Sequence, residues 1–163
     1  MDYNEIRDCI LLATATYFRE IEGINDYLSK KGHRFSSTTC SDISNEHGHF
    51  VIAEGRCEGV NTTYIAICGS RSLEDWKTTI QILPTQQDMG LVHTGWFSRM
   101  LHLPLNLLIE RIKAGGRVVI CGHSLGGAVA QLFTVNILQS FAGDADANTY
   151  CARVQCVSFA GPM

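Results

Sequence analysis

Gly122-His123-Ser124-Leu125-Gly126 combines a serine with glycines two positions to either side, the pattern G-x-S-x-G. Val118, Val119, Ile120 and Cys121 run before it as a continuous apolar stretch, the pattern of a strand buried on both faces. Gly126, Gly127, Ala128 and Ala130 open a helical pattern after it. A serine on so sharp a strand-to-helix turn is held in strained backbone, with its hydroxyl presented as a nucleophile. Glycine at 122 and 126 removes Cβ atoms that would collide across the turn. The helix N-terminus brings unpaired N–H groups beside the hydroxyl, and the Leu125 N–H is placed to donate to a developing oxyanion. Arrangement and residue types together point to acyl transfer through a serine.

A serine hydroxyl needs a base, and the base needs a carboxylate to orient it. In strand-elbow-helix hydrolases the order along the chain is Ser, Asp, His. No histidine follows Ser124, and the only later acids are Asp144 and Asp146, directly after the elbow helix. His123 adjoins the serine, but neighbours at such a turn point apart. His93 and His102 lie upstream and would require another chain order. The expectation is therefore that residues 1–163 are the N-terminal portion of a longer single domain, inactive alone, whose Asp and His lie beyond residue 163.

The rest of the chain supplies the elements that would hold this turn. Residues 3–22 read as a helix with Ile6, Ile10, Ala13, Tyr17 and Ile21 on one apolar face, stopped by Gly23. A short helix is expected at 25–31, then polar loop to 47. Residues 49–55 and 61–68 read as strands joined as a hairpin through Cys57-Glu58-Gly59-Val60. Ser72 with Asp75 suits a helix start, and Leu73, Trp76, Ile80 and Leu83 form one apolar stripe stopped by Pro84. That stripe fits an ordinary surface helix or a lid over a site. Residues 85–90 read as polar loop, 96–114 as a helix split at Pro104, 143–149 as polar loop and 154–159 as a strand. Strand, helix, strand in this order implies a parallel sheet.

Composition narrows the function classes. A net charge of −3 gives no electrostatic case for nucleic acid. No apolar run reaches membrane-spanning length, and the acidic start Met1-Asp2-Tyr3-Asn4-Glu5 does not resemble a signal peptide. Seven cysteines without C-x-x-C argue against zinc, and His47 with His49 is a weak ligand pair, so neither metal nor cofactor is expected. Cys68, Cys121 and Cys156 fall in strands read as buried, which suits reduced thiols and a cytoplasmic setting.

Four segments resemble the class 3, fungal-type lipases of the α/β-hydrolase fold. ICGSRSLEDW (67–76) is similar to that family's F-R-G-T/S segment and lid, VHTGW (92–96) to V-H-x-G-F, GHSLGGAVA (122–130) to its elbow and FAGP (159–162) to F-G-x-P. The lid wording and CGHSLGG are also similar to sn-1-specific diacylglycerol lipases. The resemblance implies an α/β fold with a mostly parallel central sheet flanked by helices. It implies Ser124 as nucleophile, Ser70 and Leu125 as oxyanion-hole amides, and Arg71 to Pro84 as lid and hinge. It further implies a lipid acyl ester as substrate, with transient contact to a membrane or lipid droplet. Cys68 departs from the family's usual arginine. Two alternatives stay open: a lipase-fold binding module without catalysis, and a non-lipid serine esterase, thioesterase or peptidase.

Overall fold

The computed structural model describes residues 1–41, 49–70, 84–87 and 90–161, with 84 and 85 described by their backbone alone. Its elements are α1 (Tyr3–Ala15), α2 (Ile21–Lys31), β1 (Ser37–Cys40), β2 (Phe50–Cys57), β3 (Val60–Ile67), β4 (Pro84–Gln87), β5 (Gly90–His93), α3 (Thr94–Met100), α4 (Leu105–Lys113), β6 (Arg117–His123), α5 (Leu125–Gln139), α6 (Ala147–Cys151) and β7 (Val154–Phe159). Five strands form one sheet in the order β1-β2-β3-β6-β7, and β4 and β5 form a separate antiparallel hairpin. The sheet is mixed: β1, β2 and β3 pair antiparallel, whereas β3, β6 and β7 pair parallel. The expected hairpin joins β2 to β3, with Glu58 at φ 51° and Gly59 at φ 81°, two left-handed residues whose twist suits the flanking strands.

β6 is the centre of the core, and its side chains alternate between two apolar layers. Val119 and Cys121 join Leu12, Ile24 and Leu28 from α1 and α2. Val118 and Ile120 face the other way, against Leu108 and Ile112 of α4 and Phe133 and Ile137 of α5. All four β6 residues are fully buried, which is why the stretch reads as continuously apolar rather than alternating.

Several expectations need correction. α1 ends at Ala15, and its buried face carries Glu5, Asp8, Cys9, Leu12 and Ala15, while Ile6 and Ile10 are 39% and 46% exposed. Polar partners turn the helix this way. Arg117 on β6 grips the Glu5 carboxylate through both guanidinium arms, one at 2.9 Å, and the Tyr64 hydroxyl donates to it at 3.1 Å. Arg34 Nε donates to Asp8 at 2.6 Å. Gly23 lies inside α2, which stops instead at Gly32 in left-handed conformation at φ 68°. Ser37–Cys40 is a strand, not loop, paired among the described strands with β2 alone; its alternate residues are exposed because successive side chains point to opposite faces of the sheet. Two further segments read as loop hold β4 with β5 and α6. Cys156 is exposed, because β7 pairs with β6 alone among the described strands, whereas Cys68 and Cys121 are buried as expected. The split at Pro104 is present, between α3 and α4.

Candidate active site

Ser124 stands between β6 and α5 with φ 55° and ψ −128°, a conformation that β-carbon-bearing residues rarely adopt. Three backbone bonds hold it there. Its N–H donates to the Phe159 carbonyl at 2.8 Å, and its own carbonyl accepts from Gly127 N–H at 2.8 Å and Ala128 N–H at 3.3 Å. The side chain is partly exposed, whereas Leu125 beside it is buried.

The glycine requirement is sharper than a collision between two β-carbons. A Cβ on Gly122 would stand 2.8 Å from Gly127 N and closer still to the Gly126 carbonyl oxygen. A Cβ on Gly126 would stand 2.9 Å from the Cys68 carbonyl carbon and closer still to Ile67 O. The first glycine lets α5 start immediately after the strand. The second lets that helix touch the end of β3.

This contact joins the elbow to the segment that follows β3. Ile67 is the parallel partner of Gly122, so residues 68–70 leave the sheet directly beside the turn. Cys68 N–H donates to His49 O at 3.0 Å, and Arg99 Nη1 from α3 donates to Cys68 O at 3.4 Å. Cys68 itself is buried, so where the family has an arginine this chain has a thiol and a cation arriving from α3 instead. Gly69 is packed so closely that a Cβ there would meet Tyr17 Oη at 2.5 Å and His123 O at 2.7 Å. The Ser70 hydroxyl oxygen is buried with no hydrogen-bond partner among the described residues. Ser70, Ser124 and Leu125 thus converge at one end of the parallel strands.

The histidines are otherwise occupied. His123 is exposed, with Nδ1 3.0 Å from Tyr17 Oη. His93 caps α3, Nδ1 accepting from Gly95 N–H at 3.2 Å, and its ring stacks on Trp96 with centroids 4.9 Å apart. Asp144 pairs with Lys113 at 3.4 Å and accepts from Asp146 N–H at 3.0 Å. α5 runs away from the elbow, so these acids lie at the far end of the sheet. His49, one of the two weak ligand candidates, is buried and its carbonyl serves Cys68; His47 lies outside the described residues. So do the lid residues Leu73, Trp76, Ile80 and Leu83. Sequence reading missed Tyr17 as a neighbour of His123 and Arg99 as a brace on Cys68. Neither contact has a local signal, since each joins residues far apart in the chain.

A mixed sheet whose parallel strands β3, β6 and β7 carry the elbow, a strained serine at that strand-to-helix turn and a neighbouring strand end packed against it define an α/β-hydrolase fold. The sequence profile described as Lipase (class 3) matches residues 64–163, so the chain belongs to the class 3 lipase family. Solved structures agree on the fold. Native Rhizomucor miehei lipase in its propeptide complex aligns with a TM-score of 0.69 at 21% identity, over 98% of this chain and 52% of that one. The lipase of Rhizopus microsporus var. chinensis aligns with a TM-score of 0.64 at 18% identity, over 97% and 57%. A triacylglycerol lipase whose catalytic centre is described as a serine protease triad aligns with a TM-score of 0.64 at 20% identity, over 95% and 70%. The chain spans about half the length of the Rhizomucor lipase chain. No curated relative matches the sequence. Among the described residues no helix is long and apolar enough to cross a membrane.

Proposed function

We propose that the protein hydrolyses lipid acyl esters through an acyl-enzyme on Ser124. The observation that carries this reading is the backbone of Ser124, at φ 55° and ψ −128°, with the end of β3 packed against the turn. Ser124 Oγ attacks the ester carbonyl. The amides of Ser70 and Leu125 donate to the carbonyl oxygen on which the negative charge forms. Each donor of this kind is worth about 10²- to 10³-fold in rate. The alcohol leaves, water attacks the acyl-enzyme, and Ser124 is restored. A histidine held by an aspartate takes the proton from Ser124 and gives it to the departing alcohol oxygen, then takes a proton from the attacking water and returns it to Ser124 as the carboxylic acid leaves. This assignment accords with the serine-protease-type triad of the triacylglycerol lipase above. Leu73, Trp76, Ile80 and Leu83 serve as the apolar lid face that meets a membrane or lipid-droplet surface.

Reaction of the full-length protein with a fluorophosphonate probe, read by peptide mass, tests the reading. The probe is expected on Ser124 and absent from Ser124→Ala. Labelling that survives Ser124→Ala, or none in the wild type, refutes it. A rise in ester turnover when the substrate passes from monomers to micelles supports the lid assignment; the same turnover in both states removes it.

A further inference from the structure

We propose that Tyr17 is a positioning residue that fixes the separation between the elbow and the Ser70 side of the oxyanion hole; the proposal rests on the hydrolase reading above. Tyr17 Oη lies 3.0 Å from His123 Nδ1, with the two rings edge to face at a centroid distance of 6.1 Å. The same hydroxyl closes off the space beside Gly69, where a Cβ would stand 2.5 Å from Tyr17 Oη and 2.7 Å from His123 O. Gly69 precedes Ser70, and His123 precedes Ser124. One hydroxyl therefore touches the residue before each half of the reactive centre.

Tyr17 is itself anchored from a distance. Its N–H donates to Thr14 O at 3.2 Å, and Thr16 Oγ1 donates to Ala13 O at 2.7 Å, so the turn after α1 is fixed. At its other end α1 is held by the Glu5–Arg117 ion pair. Arg117 and His123 are the first and last residues of β6. Ten helical steps from Glu5 to Ala15 span about 15 Å, with a turn from there to Tyr17, and six strand steps from Arg117 to His123 span about 20 Å. α1 and the turn after it thus run alongside β6 and are pinned to it at two places, by an ion pair where the strand begins and by the Tyr17 hydroxyl where the elbow begins. Burial, and secondarily the nearby Cys68, push the Tyr17 hydroxyl above its usual range, so it stays protonated at neutral pH. An imidazole with its proton on Nε2 accepts from it.

The test is a double-mutant cycle on the full-length protein, reading kcat and KM for a short-chain p-nitrophenyl ester, the rate of fluorophosphonate labelling at Ser124, and the thermal midpoint. Tyr17→Phe removes only the hydroxyl and is expected to lower kcat about 5- to 10-fold, the loss of one ordinary hydrogen bond, with KM unchanged. Gly69→Ala is expected to lower it about 100-fold, since the turn must shift by a large part of an ångström. In the Tyr17→Phe background the Gly69→Ala loss should shrink, because the new methyl no longer meets Oη. His123→Ala should match Tyr17→Phe, and His123→Asn, which keeps an acceptor near the Nδ1 position, should restore most of the rate. A Tyr17→Phe protein with wild-type kcat and wild-type labelling overturns the proposal. So does a cycle in which the two losses simply multiply, or one in which only the thermal midpoint moves. A wild type that does not label at Ser124 overturns the hydrolase reading, and the proposal with it.

Discussion

Gly126→Ala should slow catalysis by more than it weakens the fold. The new Cβ would stand 2.9 Å from the Cys68 carbonyl carbon and closer to Ile67 O, and both are backbone atoms that cannot rotate aside. Relieving the overlap means parting the first turn of α5 from the end of β3 by about 1 Å, since non-bonded carbon contacts settle near 3.5 Å. That shift would move Leu125 away from the strand end that leads to Ser70, the two residues whose amides are proposed to bind the oxyanion. A displacement of this size costs about 100-fold in rate, or roughly 2.7 kcal/mol in the barrier. Stability responds less. Overpacking costs about 1–3 kcal/mol, and replacing glycine within a helix returns about 1 kcal/mol of it. A domain with about 5–15 kcal/mol in hand stays folded. The assay is labelling rate at Ser124 beside the thermal midpoint. Gly127→Ala is the matched control one residue on. Its Cβ would meet Ser158 Oγ at 2.5 Å, a hydroxyl that can turn, and Gly122 O at 3.1 Å, so its loss should stay below about tenfold. If Gly126→Ala labels at the wild-type rate with an unchanged midpoint, the close approach of α5 to β3 does not set the reactive geometry.

Three further outcomes follow from the buried polar and thiol groups. Arg117→Met leaves the Glu5 carboxylate fully buried without its cation and should lower stability by about 3–5 kcal/mol in urea unfolding; adding Glu5→Gln should recover much of that. Burial pushes the Glu5 carboxyl up, but bonding to Arg117, its charge and the Tyr64 hydroxyl outweigh burial and hold the group below its ordinary 4.5. A depressed carboxylate stabilises the fold above its unfolded value and loses that contribution as pH falls through the folded one. The thermal midpoint should therefore drop as pH falls below about 4.5, and drop less in Glu5→Gln. Hydrogen bonding to Cys9, followed by burial, pushes the Cys121 thiol well up. Iodoacetamide on the native protein should thus reach exposed Cys156 before Cys121, as read by peptide mass, and the reverse order would show that the β6 core opens readily.

What could be read from the sequence divides by the range over which each constraint acts. The elbow was legible because its demands fall within five consecutive residues: two glycines, a serine, an apolar strand before and a small-residue helix after. The β2–β3 hairpin was legible for the same reason, its two left-handed positions being Glu58 and Gly59. The direction α1 faces was not. Counting apolar side chains puts Ile6 and Ile10 inward, yet the helix turns Glu5 inward, toward an arginine 112 residues away. Edge strand β1 was hidden because its alternating residues are polar and only its pairing with β2 marks it as a strand.

The same division explains the departure at Cys68. Read locally, a thiol where the family carries an arginine removes a cation from the turn beside Ser124. In three dimensions the Arg99 guanidinium comes from α3, 31 residues later, and donates to the Cys68 carbonyl. α3 itself packs on α5, the elbow helix, so the brace ties the strand end to the same body that carries Leu125. If this bond substitutes for the missing side chain, Arg99→Met should slow labelling at Ser124, and Cys68→Arg should not add to the wild-type rate. Motif comparison alone scores position 68 as a loss. The fold keeps a cation at that turn and changes only the segment of chain that supplies it.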